Sequence, residues 1–201
     1  MTEHRKLHQL AVSVTTAMCL ALPLAAQATP AAAAPGDNLV RNGTFETDPA
    51  LSNVTWRNNG AVAPWQGIGA GYDLLSARFA QHPNGYQAVD LGPEFNGGGI
   101  QQRLSPNPGS WYQLSFQHSP DAWNNCIGQN VNFTYELADE DGTTLTSGEV
   151  KPHAADGQAH WEKKTFEPFK ATTNTLFLKF KGNSSHSCQA AITNVKFSQI
   201  W

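Results

Sequence analysis

Residues 111–117, Trp111-Tyr112-Gln113-Leu114-Ser115-Phe116-Gln117, alternate between apolar and polar side chains from Tyr112 onward. A period of two puts Tyr112, Leu114 and Phe116 on one face of an extended chain and Gln113, Ser115 and Gln117 on the other. That is the pattern of a half-buried antiparallel strand. It recurs at Val131, Phe133, Tyr135 and Leu137, and again at Leu176, Leu178 and Phe180. Turn-forming clusters separate such runs: Asn58-Asn59-Gly60, Pro83-Asn84-Gly85, Pro106-Asn107-Pro108-Gly109 and Asp141-Gly142, the last read as a hairpin turn. Gly97-Gly98-Gly99 precedes a strand rather than a helix and reads as a bend. No long stretch keeps a 3.6-residue period. The chain therefore predicts about nine or ten short strands in one all-β domain, an antiparallel jelly-roll β-sandwich.

Composition agrees with that class. Of 201 residues 40% are hydrophobic and only 14% charged, with 17 Gly and 12 Pro, which excludes a disordered chain or a coiled coil. A net charge of −3 and a sequence pI near 6.1 give no basic surface for nucleic acid or anionic lipid. Six Trp, four Tyr and ten Phe leave aromatic surface as the main chemical resource.

The first residues read as an address. Arg5 and Lys6 precede an apolar run from Leu10 to Leu24, and Ala25, Ala26, Gln27 and Ala28 follow. This is the order of a secretory signal peptide, too short for a membrane span of about 20 apolar residues. Residues 1–34 are accordingly read as the leader, cleaved between 28 and 34, and residues 35–201 as the exported domain, extracellular and without a membrane anchor. Two cysteines remain, Cys126 and Cys188. In an exported chain such a pair reads as one disulfide, with two buried free thiols as the alternative. Closing so long a loop is worth about 4 kcal/mol in the chain-entropy picture.

Little in the sequence points to catalysis. A glycosidase needs two carboxyl groups facing one another across a bond, yet the one acidic cluster, Asp139-Glu140-Asp141, sits at a hairpin tip. There is no nucleophile elbow, zinc-binding helix or phosphate-cradling loop. Binding is better served. Sugars present flat C–H faces to Trp and Tyr rings, and their hydroxyls suit short polar side chains. Trp123 lies in the polar loop Pro120-Asp121-Ala122-Trp123-Asn124-Asn125, beside Asp121 and Asn124. Its ring is read either as a stacking platform or as folded back on Cys126. Trp56, flanked by Thr55, Arg57, Asn58 and Asn59, is a second loop aromatic. Trp65 reads as core, Trp161 as structural, and Trp111 as facing away from Tyr112.

Several motifs, taken in order, resemble one family. The opening Asn38-Leu39-Val40-Arg41-Asn42-Gly43-Thr44-Phe45-Glu46, then Ala63-Pro64-Trp65 with Gly71-Tyr72-Asp73, then Gly85 to Leu91, are similar to the plant cell-wall group of galactose-binding-like domains and its bacterial anchored relatives. Gly99 to Leu104, Trp111 to Phe116, Asp121 to Cys126 and Cys188 to Val195 extend the resemblance over nearly all of residues 38–199. It implies a secreted galactose-binding-like sandwich that binds cell-wall polysaccharide without transforming it. A protein-binding wall component that modulates a wall-modifying enzyme, or a polysaccharide-active hydrolase or lyase, are the alternatives. By family position Tyr72 and His82 join Trp123, Asp121, Asn124 and Trp56 as ligand-binding candidates. Relatives of this fold hold structural calcium with a Glu like Glu46 and a late Asp. Here Thr193 stands at the late position, and calcium takes six to eight oxygens, so no cofactor is expected and Glu46 is the sole candidate ligand.

Overall fold

The computed structural model describes residues 34, 36–46, 56–59, 62–92, 97–183 and 186–201. The leader through residue 33 lies outside the described residues. Among the described residues twelve strands follow one another: β1 (Trp56–Asn58), β2 (Gln66–Gly69), β3 (Asp73–Leu75), β4 (Ala88–Asp90), β5 (Gly98–Leu104), β6 (Trp111–Pro120), β7 (Phe133–Ala138), β8 (Thr144–Val150), β9 (Glu162–Thr165), β10 (Phe169–Lys170), β11 (Leu176–Gly182) and β12 (Ala190–Gln199). Every pairing is antiparallel. One sheet runs β1-β3-β4-β12-β6, with β9 and β10 both pairing the outer side of β6; the other runs β2-β5-β11-β7-β8. Only the β3–β4, β7–β8 and β9–β10 connections stay within a sheet. Every other connection crosses the sandwich, as in a jelly roll.

The alternation read in the sequence decides which side chains meet. Tyr112, Leu114 and Phe116 of β6 are buried, as are Phe133 and Leu137 of β7 and Leu176, Leu178 and Phe180 of β11. Phe116 and Phe180 come from different sheets and meet edge to face, centroids 5.0 Å apart and planes at 88°. Phe133 packs beside them, 5.8 Å from Phe116, and Tyr112 stacks on Phe197 of β12 at 4.9 Å.

The opening motif is a clamp on this core. Asn38 accepts the backbone N–H groups of Phe197 and Val40 on Oδ1. The Trp65 indole donates to the Asn42 carbonyl at 3.1 Å, and Phe45, fully buried, packs on the Trp65 ring at 5.6 Å. Gly43 lies so close to β12 that a Cβ there would run into the Val195 carbonyl.

Cys126 and Cys188 are bonded, with Cα atoms 5.5 Å apart across a sequence separation of 62. Two short elements escape the periodicity argument. A single helical turn at Ala77–Ala80 is capped by Ser76, whose Oγ accepts the Phe79 N–H, and a 3-10 turn spans Asn124–Cys126. Four and three residues are too few to show a helical period. No helix among the described residues is long and apolar enough to cross a membrane.

Phe116 fills the centre of the inter-sheet gap, so Phe116→Ala should cost about 3–5 kcal/mol of stability in denaturant unfolding. A loss under about 1 kcal/mol would show that the gap collapses around the deletion.

Candidate functional site

The chain leaves β6 at Pro120 and enters a loop held from four sides. Asp121 accepts the Trp123 N–H on Oδ1 at 2.9 Å, closing a side-chain turn. The Cys126 N–H then donates to the Trp123 carbonyl at 2.8 Å, forming the 3-10 turn. The disulfide ties that turn to the chain before β12, and the Asp121 N–H bonds the Gln189 carbonyl at 3.1 Å. Farther along, Gly128 donates to the Ala155 carbonyl and Ala155 donates back to Gln129.

On this braced backbone Trp123 is 48% exposed, and Asn124 and Asn125 beside it face solvent. Ile127, at the end of the 3-10 turn, is 57% exposed. The Trp123 ring is therefore not buried on Cys126. Indole and carboxamide groups stack and hydrogen-bond; they do not exchange protons near neutral pH. Braced loops of this kind lose little conformational freedom when a ligand binds.

Three of the expected contacts lie elsewhere. Asp121 is buried, and its carboxylate positions the Trp123 backbone instead of facing solvent. Tyr72 is buried in the main core, with its ring against Gly67. His82 is buried on the outer face of the seven-stranded sheet, stacked on Tyr86 at 4.8 Å and edge-on to Trp161 at 5.0 Å. Its Nδ1 accepts the Asn84 N–H, so Nε2 carries the proton and donates to Gln117 Oε1 at 3.2 Å. Burial lowers the His82 pKa, against a smaller upward pull from Gln117. Family position groups Tyr72 and His82 with the loop, but Tyr72 faces the core and His82 the covered outer side of the seven-stranded sheet. Trp56 opens β1 opposite Leu75, and its side chain lies outside the described residues. Glu46 is exposed.

A carboxylate cluster beneath the loop went unread in the sequence. Asp90 of β4 is buried and faces Asp73 across the β3–β4 pair. Burial pushes its carboxyl well above the usual range; the Asp121 and Asp73 charges add to this, and the Gly92 N–H opposes it. Asp121 is raised too, by burial foremost, although its bond from Trp123 pulls the other way. Asp73 accepts from Asn58 Nδ2 at 3.2 Å. Among the described residues no three His, Cys, Asp or Glu side chains converge closely enough to hold a metal ion. The available signal was Asp90 itself, an acid within the apolar run Ala88-Val89-Asp90-Leu91.

In layering the molecule is an antiparallel β-sandwich, a fold it shares with carbohydrate-binding modules. The chain belongs to the DUF642 family, described as proteins of unknown function, whose profile matches residues 38–198. Among solved structures it is similar to the module TmCBM61 in complex with β-1,4-galactotriose, at 16% identity and TM-score 0.55 over 81% of this chain and 99% of that one. A CBM4 module matches at 15% identity and TM-score 0.50, covering 79% of this chain and 98% of its own. A Stig cyclase from Fischerella sp. TAU matches at 16% identity and TM-score 0.55, over 82% and 98%. At these identities the likeness is one of fold. No curated protein matches the chain.

The buried acid yields a signed prediction. Below about pH 3.8 Asp90 is protonated whether the chain is folded or not. As pH rises the unfolded chain releases that proton while the fold retains it, so stability is lost through the window upward from 3.8. Asp90→Asn keeps an oxygen for the Gly92 N–H and should raise Tm by a few degrees at pH 7, with little gain at pH 4. An equal gain at both pH values, or a loss at pH 7, would contradict the charge argument.

Proposed function

We propose that this chain is an exported protein that binds cell-wall polysaccharide through the Trp123 loop without transforming it. The observation that carries this reading is the exposed Trp123 ring, flanked by Asn124 and Asn125 on a backbone fixed by the Asp121 turn and the disulfide. A pyranose offers the ring its C–H face, and the carboxamides both donate to and accept from its hydroxyls. The carbohydrate-binding modules of the same fold support the class of ligand. The buried acids Asp90 and Asp121 support binding over hydrolysis, because neither carboxyl opens toward a bound chain.

A second reading rests on Ile127. A branched aliphatic side chain has no flat face for a sugar, and its exposure four residues after Trp123 favours a protein partner such as a wall-modifying enzyme. Ile127→Ser separates the two, because it would weaken a protein contact and leave glycan retention unchanged.

Affinity electrophoresis against pectin, xylan, β-glucan, chitin and mannan tests the main reading. At least one polysaccharide should retard the mature protein without releasing reducing ends. Few residues usually dominate binding energy, with Trp prominent among them. Trp123→Ala should therefore weaken retention at least about tenfold, roughly 1.4 kcal/mol, with Tm nearly unchanged. Retention unaffected by that substitution would remove the loop from the site.

A further inference from the structure

Away from the Trp123 loop, the two sheets part along one edge. There β8 of the five-stranded sheet faces the turn between β9 and β10 of the other, and a cleft of about 270 Å³ opens between them. Its inner wall is apolar, from the buried side chains of Leu114 and Leu137. Its sides are aromatic. Tyr135 of β7 and Phe166 meet at 4.2 Å with planes at 48°, and Phe169 stands beside them. Thr146 and Glu167 add the polar groups, and Glu167 is exposed. Among the described residues no Lys or Arg lines the cleft.

The walls are set by the fold rather than by a ligand. Phe166 is pinned to β6, donating its N–H to the Leu114 carbonyl at 3.0 Å and accepting from Gln113 Nε2 at 3.2 Å. The Tyr135 ring lies over Gly148, its cross-strand partner, where a Cβ would come within 2.8 Å of the ring. Glycine at 148 gives the tyrosine its space.

We propose that this cleft is a second saccharide site, which takes a single neutral pyranose at the end of a glycan chain. The proposal rests on the glycan reading above and adds a place and a selectivity to it. The cavity lies just under the volume of ordinary small-ligand pockets, which begin at about 300 Å³. That is room for one sugar ring and none for a chain passing through. Aromatic sides meet the C–H faces of the ring, and its hydroxyls donate to the Glu167 carboxylate, an acceptor stronger than any neutral one. With a carboxylate at the mouth and no cation lining the walls, a uronic acid would face an unpaired like charge. The site therefore selects by exclusion as well as by contact. Leu114 lies about 20 Å from the loop end of β6 at a strand rise of about 3.3 Å per residue, so the two sites are separate.

The test is a nuclear magnetic resonance titration of the mature protein with methyl β-glycosides of galactose, glucose and xylose, and with methyl galacturonoside. At least one neutral glycoside should shift the ring signals of Tyr135, Phe166 and Phe169, and the uronate should not. Glu167→Gln, an exposed change that leaves the fold intact, should weaken neutral binding about tenfold and admit the uronate. Thr146→Trp fills the cleft and should abolish the shifts, while Trp123→Ala should leave them in place. Silent cleft signals with every neutral glycoside, equal binding of the uronate to the unaltered protein, or shifts that survive Thr146→Trp would each overturn the proposal. Silent cleft signals with polysaccharide retardation intact would sink the cleft alone. Silence in both experiments would sink the glycan reading with it.

Discussion

Phe116 and Phe180 meet edge to face across the gap between the sheets, and the rest of the molecule is arranged around that contact. One ring comes from the centre of β6 and the other from β11, the middle strand of the opposite sheet. An edge-to-face pair favours one spacing and one orientation, beyond the area it buries. Rings from Phe133 and Phe166 pack against the same phenyl, so the aromatic seam runs from the centre of the sandwich toward its edge. Interdigitated inner faces of this kind hold stacked sheets about 10 Å apart. The clamp of the opening motif on β12, the closed core under the disulfide and the open cleft at the far edge all follow from that separation.

The loop carrying Trp123 shows the opposite strategy, in which rigidity comes from polar bonds and a covalent staple. A turn made by Asp121, a 3-10 turn, a disulfide and two backbone bonds to Ala155 fix a segment that contributes little core. The arrangement has an electrostatic cost. Asp121 and Asp90 are buried near one another and near Asp73, so each resists ionisation. Removing acids from water costs stability that an apolar pair would not. The carboxylate of Asp121 holds the exposed indole in place through the backbone, and the burden falls on the layer beneath the loop.

Outside the cleft, aromatic residues serve three distinct ends. Phe45, Trp65, Phe116 and Phe180 pack the interior. His82, Tyr86 and Trp161 cover part of the outer face of the seven-stranded sheet, where the Trp161 indole donates to the Ala80 carbonyl at 2.8 Å. Trp123 is offered to solvent. All three uses draw on flat, stiff side chains that lose little conformational entropy when ordered.

The sequence by itself determined the architecture. Period-two alternation is a local property of the chain, and it assigned inward faces to Tyr112, Leu114, Phe116, Phe133, Leu178 and Phe180, all buried, and to Tyr135, which is half-buried where the cleft opens. Turn chemistry placed the Asp139–Gly142 hairpin, and the two cysteines left after the leader read as the pair now bonded. Exposure in the loops was a different matter, because nothing local says which way a loop side chain turns. Trp123 could stand free or lie on the disulfide, and Tyr72 and His82 shared its neighbourhood only by motif position. Their burial was decided by packing that no local pattern announces: Gly67 beneath the Tyr72 ring, Tyr86 and the distant Trp161 around His82, and the distant Gln189 behind Asp121. The cleft at the β8 edge was likewise invisible, since it lies between strands of two different sheets and is marked by no single segment. Tertiary structure decided these features because solvent access depends on the shape of the whole fold, whereas a strand's two faces follow from its own backbone.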